Sequence, residues 1–110
     1  MKVAVYSKAG CGICVAAKKK IEMMGLTKVA EPDEWSDGTW VERDVELVNA
    51  GLTENWRLFP DCELLAFTML HDLDALPIIW IDGEFHTYAN AMRTMKAKRA
   101  ERKEPVAVPA

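Results

Sequence analysis

Lys2-Val3-Ala4-Val5-Tyr6-Ser7-Lys8-Ala9-Gly10-Cys11-Gly12-Ile13-Cys14 is the stretch on which the fold turns. Val3 to Tyr6 is apolar and reads as a short buried strand, and Ser7 to Gly10 reads as the loop that delivers Cys11 to the start of a helix. A helix N-terminus leaves N–H groups unpaired and carries about half a positive charge. Both favour a thiolate, the reactive form of cysteine. Cys11 is therefore read as a nucleophile. Cys14, one turn further on, is placed to resolve a mixed disulfide on Cys11 by forming the internal bond.

The helix that follows has a defined face. Cys14, Ala17, Ile21 and Met24 recur at three- and four-residue spacing and are expected to point to the core, with Gly25 as the C-cap. Lys18, Lys19 and Lys20 fall largely elsewhere, on a solvated face. Lys28 to Thr39 is polar, acidic and turn-rich, and Trp40 to Val45 reads as a charged strand on an exposed edge. Strand, helix and strand make a βαβ unit. Pro60 and Asp61 can open a second helix with an apolar stripe of Leu64, Leu65, Thr68 and Met69, before His71 and Asp72. Pro77-Ile78-Ile79-Trp80-Ile81 is rich in strand formers, Asp82-Gly83 is a two-residue hairpin signal, and Glu84 to Tyr88 is the return strand. A last helix, capped by Asn90, carries Met92 and Met95 inward. It runs into the charged stretch Lys96 to Glu104. The expected organisation is one domain over residues 1–104 and a disordered tail over 105–110, which contains Pro105 and Pro109.

Composition bounds the function. The chain has 110 residues, half of them apolar, enough for one core and too few for two. Fourteen basic against 17 acidic residues give a net charge of -3, so neither nucleic acid nor an anionic membrane is favoured as a partner. No apolar stretch approaches the ~20 residues that span a bilayer, and the default location is the cytoplasm. There, a C-x-x-C pair near a βαβ pattern reads as a catalytic dithiol rather than a structural bridge. No second ligand pair at zinc spacing accompanies it, since only Cys62, His71 and His86 remain. The histidines read as structural or solvated. Cys62 reads as a small packing residue, with a regulatory thiol as its alternative. Lys8 is either a solvated loop residue or a cation that lowers the Cys11 pKa. Trp35, Trp40 and Trp56 read as core or lid packing, with an aromatic docking surface as the alternative.

The order strand, C-x-x-C helix, strand, helix, Pro-led hairpin, helix resembles a glutaredoxin or a small glutaredoxin-like thioredoxin-fold protein. Tyr6-Ser7-Lys8 with Cys11-Gly12-Ile13-Cys14 is similar to that family's strand-to-active-site segment. Leu76-Pro77 matches the position of its cis proline, and Asp82-Gly83 matches its hairpin turn. The resemblance covers nearly the whole chain. It implies an α/β thioredoxin-like fold, with a mixed four-stranded sheet of a parallel βαβ unit and an antiparallel hairpin. It also implies a thiol–disulfide oxidoreductase that acts through Cys11 and Cys14, with Lys8, Ile13, Leu76 and Pro77 against the substrate. Pro77 would face the dithiol and leave the Leu76 backbone free to pair with a substrate strand.

The partners it implies are disulfide-containing proteins, ribonucleotide reductase among the possible clients. Glutathione or a flavoprotein disulfide reductase is the electron source. No tightly bound cofactor and no metal is expected, and the chain is expected to be a monomer. The chain departs from the family in three places. His86-Thr87-Tyr88-Ala89-Asn90 stands where a Gly-Gly pair and an acidic residue help hold glutathione, Gly12-Ile13 replaces Pro-Tyr, and Ala75-Leu76 replaces Thr-Val. The first departure predicts weakened glutathione binding. The second admits an alternative, because some family members without proline after the first cysteine hold an iron–sulfur cluster between two subunits. A non-catalytic thioredoxin-fold module with an inert disulfide is the other alternative.

Overall fold

Lys2–Ser7 forms the central strand, β1, and alternation along it decides what covers each face of the sheet. Val3 and Val5 lie in one apolar cluster, and Ala4 and Tyr6 in the other; all four are fully buried. A strand buried on both faces reads as a continuous apolar run, and Val3 to Tyr6 is one. The computed structural model describes residues 1–71 and 76–103. The other elements are α1 (Gly12–Met23), β2 (Thr27–Lys28), β3 (Thr39–Asp44), α2 (Val45–Ala50), α3 (Asp61–His71), β4 (Ile78–Ile81), β5 (Glu84–Thr87) and α4 (Tyr88–Lys103). A short 3₁₀ turn spans Pro32–Glu34.

The chain is an α/β domain with a mixed sheet of order β2-β3-β1-β4-β5. β3 runs parallel to β1 and to β2, while β4 is antiparallel to both β1 and β5. The sheet has five strands where four were expected. The extra one, β2, is a two-residue strand with both side chains exposed, so no apolar alternation marks it in the sequence. It pairs Thr27 with Thr39 and Lys28 with Trp40, which makes β3 an interior strand rather than the expected edge.

Ala17 and Ile21 of α1 and Ala91 and Met95 of α4 pack on the Val3–Val5 face with Trp40, Ile79 and Ile81. Val48 of α2 and Leu64 of α3 pack on the other face with Trp35, Val41, Phe59 and Ile78. The expected α1 stripe is borne out at Cys14, Ala17 and Ile21, with Met24 half-buried against the same cluster. Gly25, at φ +92, takes the left-handed turn after the helix, next to the Met24 cap.

Four further expectations are corrected. The predicted strand ends at Asp44 rather than Val45, because the Asp44 carboxylate accepts from the N–H groups of Glu46 and Leu47 and opens α2, a six-residue helix not expected from the sequence. Among the described side chains of α3 the inward apolar ones are Leu64 and half-buried Phe67; Leu65 is exposed. Helix α4 begins at Tyr88, two residues before the expected cap, because Tyr88, Ala91, Met92 and Met95 share one inward face. Asn90 lies inside the first turn and accepts from Arg93 instead. Cys62 is exposed rather than packed. The side chains of Met69 and His71, the residues Asp72 and Ala75, and the tail over 105–110 lie outside the described residues.

The hairpin turn is as expected, while the return strand ends at Thr87 rather than Tyr88, which opens α4. Asp82 and Gly83 both have positive φ, 44° and 104°, as a two-residue turn between twisted strands requires. The Asp82 carboxylate also accepts from the Lys2 backbone N–H at 2.8 Å, which fixes the turn to β1. Among the described residues no helix is long and apolar enough to cross a membrane.

Candidate dithiol site

Gly10, at φ +80, bends the chain from the end of β1 into α1, a conformation that disfavours any residue with a Cβ. Cys11 then takes the N-cap position with extended backbone, and its Sγ accepts from the Cys14 N–H at 3.2 Å. A sulfur thus occupies the place where helices ordinarily use a serine or aspartate oxygen. The two sulfurs are joined as a disulfide, with the Cα atoms 5.2 Å apart. Cys11 is half-buried, whereas Cys14 is 1 % exposed beneath it. The outer sulfur is the one a partner can reach.

A surface pocket of about 610 Å³ opens beside Cys11, lined by Ser7, Lys8, Gly12, Val15, Lys18, Glu42 and Asp44 among others. A Cβ built on Gly12 would meet nothing within 4 Å, so the flank of Cys11 is open on that side. Lys8 is exposed on the rim. Ile13, 56 % exposed, and Val15 give the first turn of α1 an apolar outer surface around the sulfur.

The Leu76–Pro77 peptide bond is cis, as the resemblance implied. Pro77 is buried and directly precedes Ile78, which pairs with Tyr6, so it stands at the same end of the sheet as the loop leading to Cys11. The Leu76 side chain packs against the cluster containing Tyr6 and Ile78. Cys11, Cys14 and Lys8 are thus gathered at one place, Ile13 lies on the adjoining turn, and Leu76-Pro77 shares that sheet end. His86 sits within β5, opposite Ile79, and exposed Cys62 lines a separate pocket with Trp56 and Leu65. Trp35 and Trp40 are core residues, while Trp56 is 42 % exposed. Among the described residues no three His, Cys, Asp or Glu side chains converge as a metal-ligand set.

Sequence reasoning missed Glu42. Its carboxylate accepts from the Ser7 hydroxyl at 3.0 Å and from the ammonium groups of Lys18 at 2.5 Å and Lys28 at 3.1 Å. Partial burial alone would raise its pKa, but these three donors together hold it below the usual carboxylate range. The available signal was alternation. Trp40 faces α1, so Glu42, two residues on, faces the same way at the dithiol end of the sheet. Reading the strand as a solvated edge concealed it. Compared with known proteins, the chain matches no family model and no curated protein.

Proposed function

We propose that the chain is a thiol–disulfide oxidoreductase that reduces protein disulfides in the cytoplasm. The observation that carries this reading is the pairing of a reachable sulfur at a helix N-cap with a buried sulfur one turn inside, already joined as a disulfide. The parallel β1-α1-β3 unit beside the antiparallel β4–β5 hairpin supports a thioredoxin-like fold, with β2 as an addition.

In the reduced protein the Cys11 thiolate attacks one sulfur of a substrate disulfide and expels the other as a thiolate, which leaves a mixed disulfide. Cys14, once deprotonated, attacks the Cys11 sulfur and releases the second substrate thiol. Two electrons pass to the substrate and the Cys11–Cys14 bond closes. Two molecules of glutathione, or the dithiol of a flavoprotein disulfide reductase, return the pair to its reduced form. Ile13 and Val15 supply apolar contact to a protein substrate, Lys8 a cation at the rim, and Leu76-Pro77 a backbone edge for an extended segment. A ribonucleotide reductase, which needs a dithiol donor, is a suitable client.

The test is direct. Wild type should reduce insulin disulfides, Cys11→Ser should be inactive, and Cys14→Ser should accumulate a mixed disulfide that names the client by mass spectrometry. Brief iodoacetamide treatment at neutral pH should label Cys11 before Cys14. An inactive wild type, or a brown dimer with visible absorption in place of dithiol activity, would overturn the reading. For the electron donor, the residues after the hairpin, Tyr88, Ala89 and Asn90, predict that a thioredoxin reductase supports turnover at least as well as glutathione with its reductase. Fast turnover with glutathione alone would refute that choice.

A further inference from the structure

Glu42 does more than fill the wall of the pocket beside Cys11. It gathers donors from three elements, the Ser7 hydroxyl from β1, Lys18 from α1 and Lys28 from β2. The charged side chains that line this pocket with Cys11 are Lys8, Lys18, Glu42 and Asp44. Two of them are committed elsewhere or exposed. Asp44 accepts from two N–H groups at the start of α2, and Lys8 stands in solvent on the rim. Lys18 and Glu42 are the partly buried pair, with side chains 24 % and 32 % exposed. Less solvent screens them than screens Lys8.

Resting on the oxidoreductase reading, we infer that Glu42 is a positioning residue: by holding the Lys18 ammonium on β3 it keeps that charge from Cys11, and so limits how readily Cys11 becomes a thiolate. In the oxidised protein the pair is closed, and Cys11 carries no charge to compete for Lys18. After reduction the Cys11 thiolate and the Glu42 carboxylate are rival anions on the same pocket wall, with Lys18 between the demands of both. Ser7 and Lys28 keep Glu42 ionised and in place, so the carboxylate retains its claim. The pocket therefore regulates the nucleophile through a carboxylate that never touches substrate.

The two members of one ion pair then have opposite effects, which separates this role from a structural one. Glu42→Gln removes a negative charge and frees Lys18, so the Cys11 pKa should fall. Lys18→Gln removes the positive charge and should raise it. Each shift should be about half a pH unit, as suits partly exposed charges, or about a threefold change in thiolate fraction below the pKa. Lys18→Arg keeps the cation and should stay near wild type. The measurement is the pH dependence of iodoacetamide labelling of the reduced proteins, resolved at each cysteine by mass mapping. Shifts of the same sign in Glu42→Gln and Lys18→Gln, or no shift in either, would overturn the inference. Insulin reduction by the wild type is assayed in parallel: its absence counts against the oxidoreductase reading, while the labelling curves decide the part played by Glu42.

Discussion

Two tryptophans in this chain differ in a single hydrogen bond, and the difference has a measurable consequence. Trp35 donates its indole N–H to the Val3 carbonyl at 2.9 Å, whereas the Trp40 N–H, in a side chain 1 % exposed, has no hydrogen-bond partner among the described residues. A buried donor without an acceptor costs about 1–3 kcal/mol. Replacing either ring by phenylalanine loses packing volume, but at Trp40 the loss of the unpaired donor offsets part of that cost. Trp40→Phe should therefore destabilise by under ~1.5 kcal/mol, and Trp35→Phe, which loses a buried hydrogen bond to the Val3 carbonyl, by at least ~1 kcal/mol more. Urea unfolding of the two variants checks this, and equal midpoints would refute it. The sequence reads both rings as core or lid packing. It could not tell which indole finds an acceptor, because that depends on where the 32–38 segment crosses β1.

Between elements, one buried carboxylate does the joining. Asp61, at the start of α3 and 3 % exposed, accepts from the Arg43 guanidinium of β3 at 2.6 and 3.2 Å. It also accepts from the Tyr6 hydroxyl of β1 at 2.7 Å and from Thr53 in the α2–α3 connection at 3.0 Å. Asp61→Ala would leave Arg43, 12 % exposed, without its counter-charge, at a cost of about 3–5 kcal/mol. Burial, reinforced by the hydrogen bond to Asp61, pushes the Tyr6 phenol far above its ordinary range. A raised folded pKa makes that stability complete below the unfolded value of ~10 and lost as pH rises beyond it. Wild type should thus lose stability steeply in alkali, and Tyr6→Phe should show a shallower loss; identical slopes in urea titrations above pH ~10 would sink the assignment. The sequence made β1, α1, α3, the hairpin and the dithiol legible, because each rests on a local period or a local turn. It hid α2, β2 and the Glu42 cluster for one physical reason. A six-residue helix, a two-residue strand and a carboxylate held by three elements are fixed by tertiary partners rather than by local pattern.

For the molecule as a whole, the redox state of the dithiol and the stability of the fold are linked. The Cys11–Cys14 bridge closes a loop of sequence separation 3, so the chain-entropy argument gives the oxidised protein an advantage of only roughly 2 kcal/mol. Opposing it is the helix N-terminus, which in the reduced protein favours the Cys11 thiolate over the thiol. A folded pKa depressed below the unfolded ~8.5 contributes stability that is complete above ~8.5 and lost as pH falls through the folded value. Only the reduced protein has this contribution. The advantage of the oxidised form should therefore be near its full size at pH 5 and smaller at pH 8.5, with the change falling between the two Cys11 pKa values. Urea unfolding followed by tryptophan fluorescence, on a Cys62→Ser background with and without reductant, measures the gap at each pH. A gap that is constant or widens with pH would mean that Cys11 gains nothing from its place at the helix end, and the case for it as the nucleophile would fall with it.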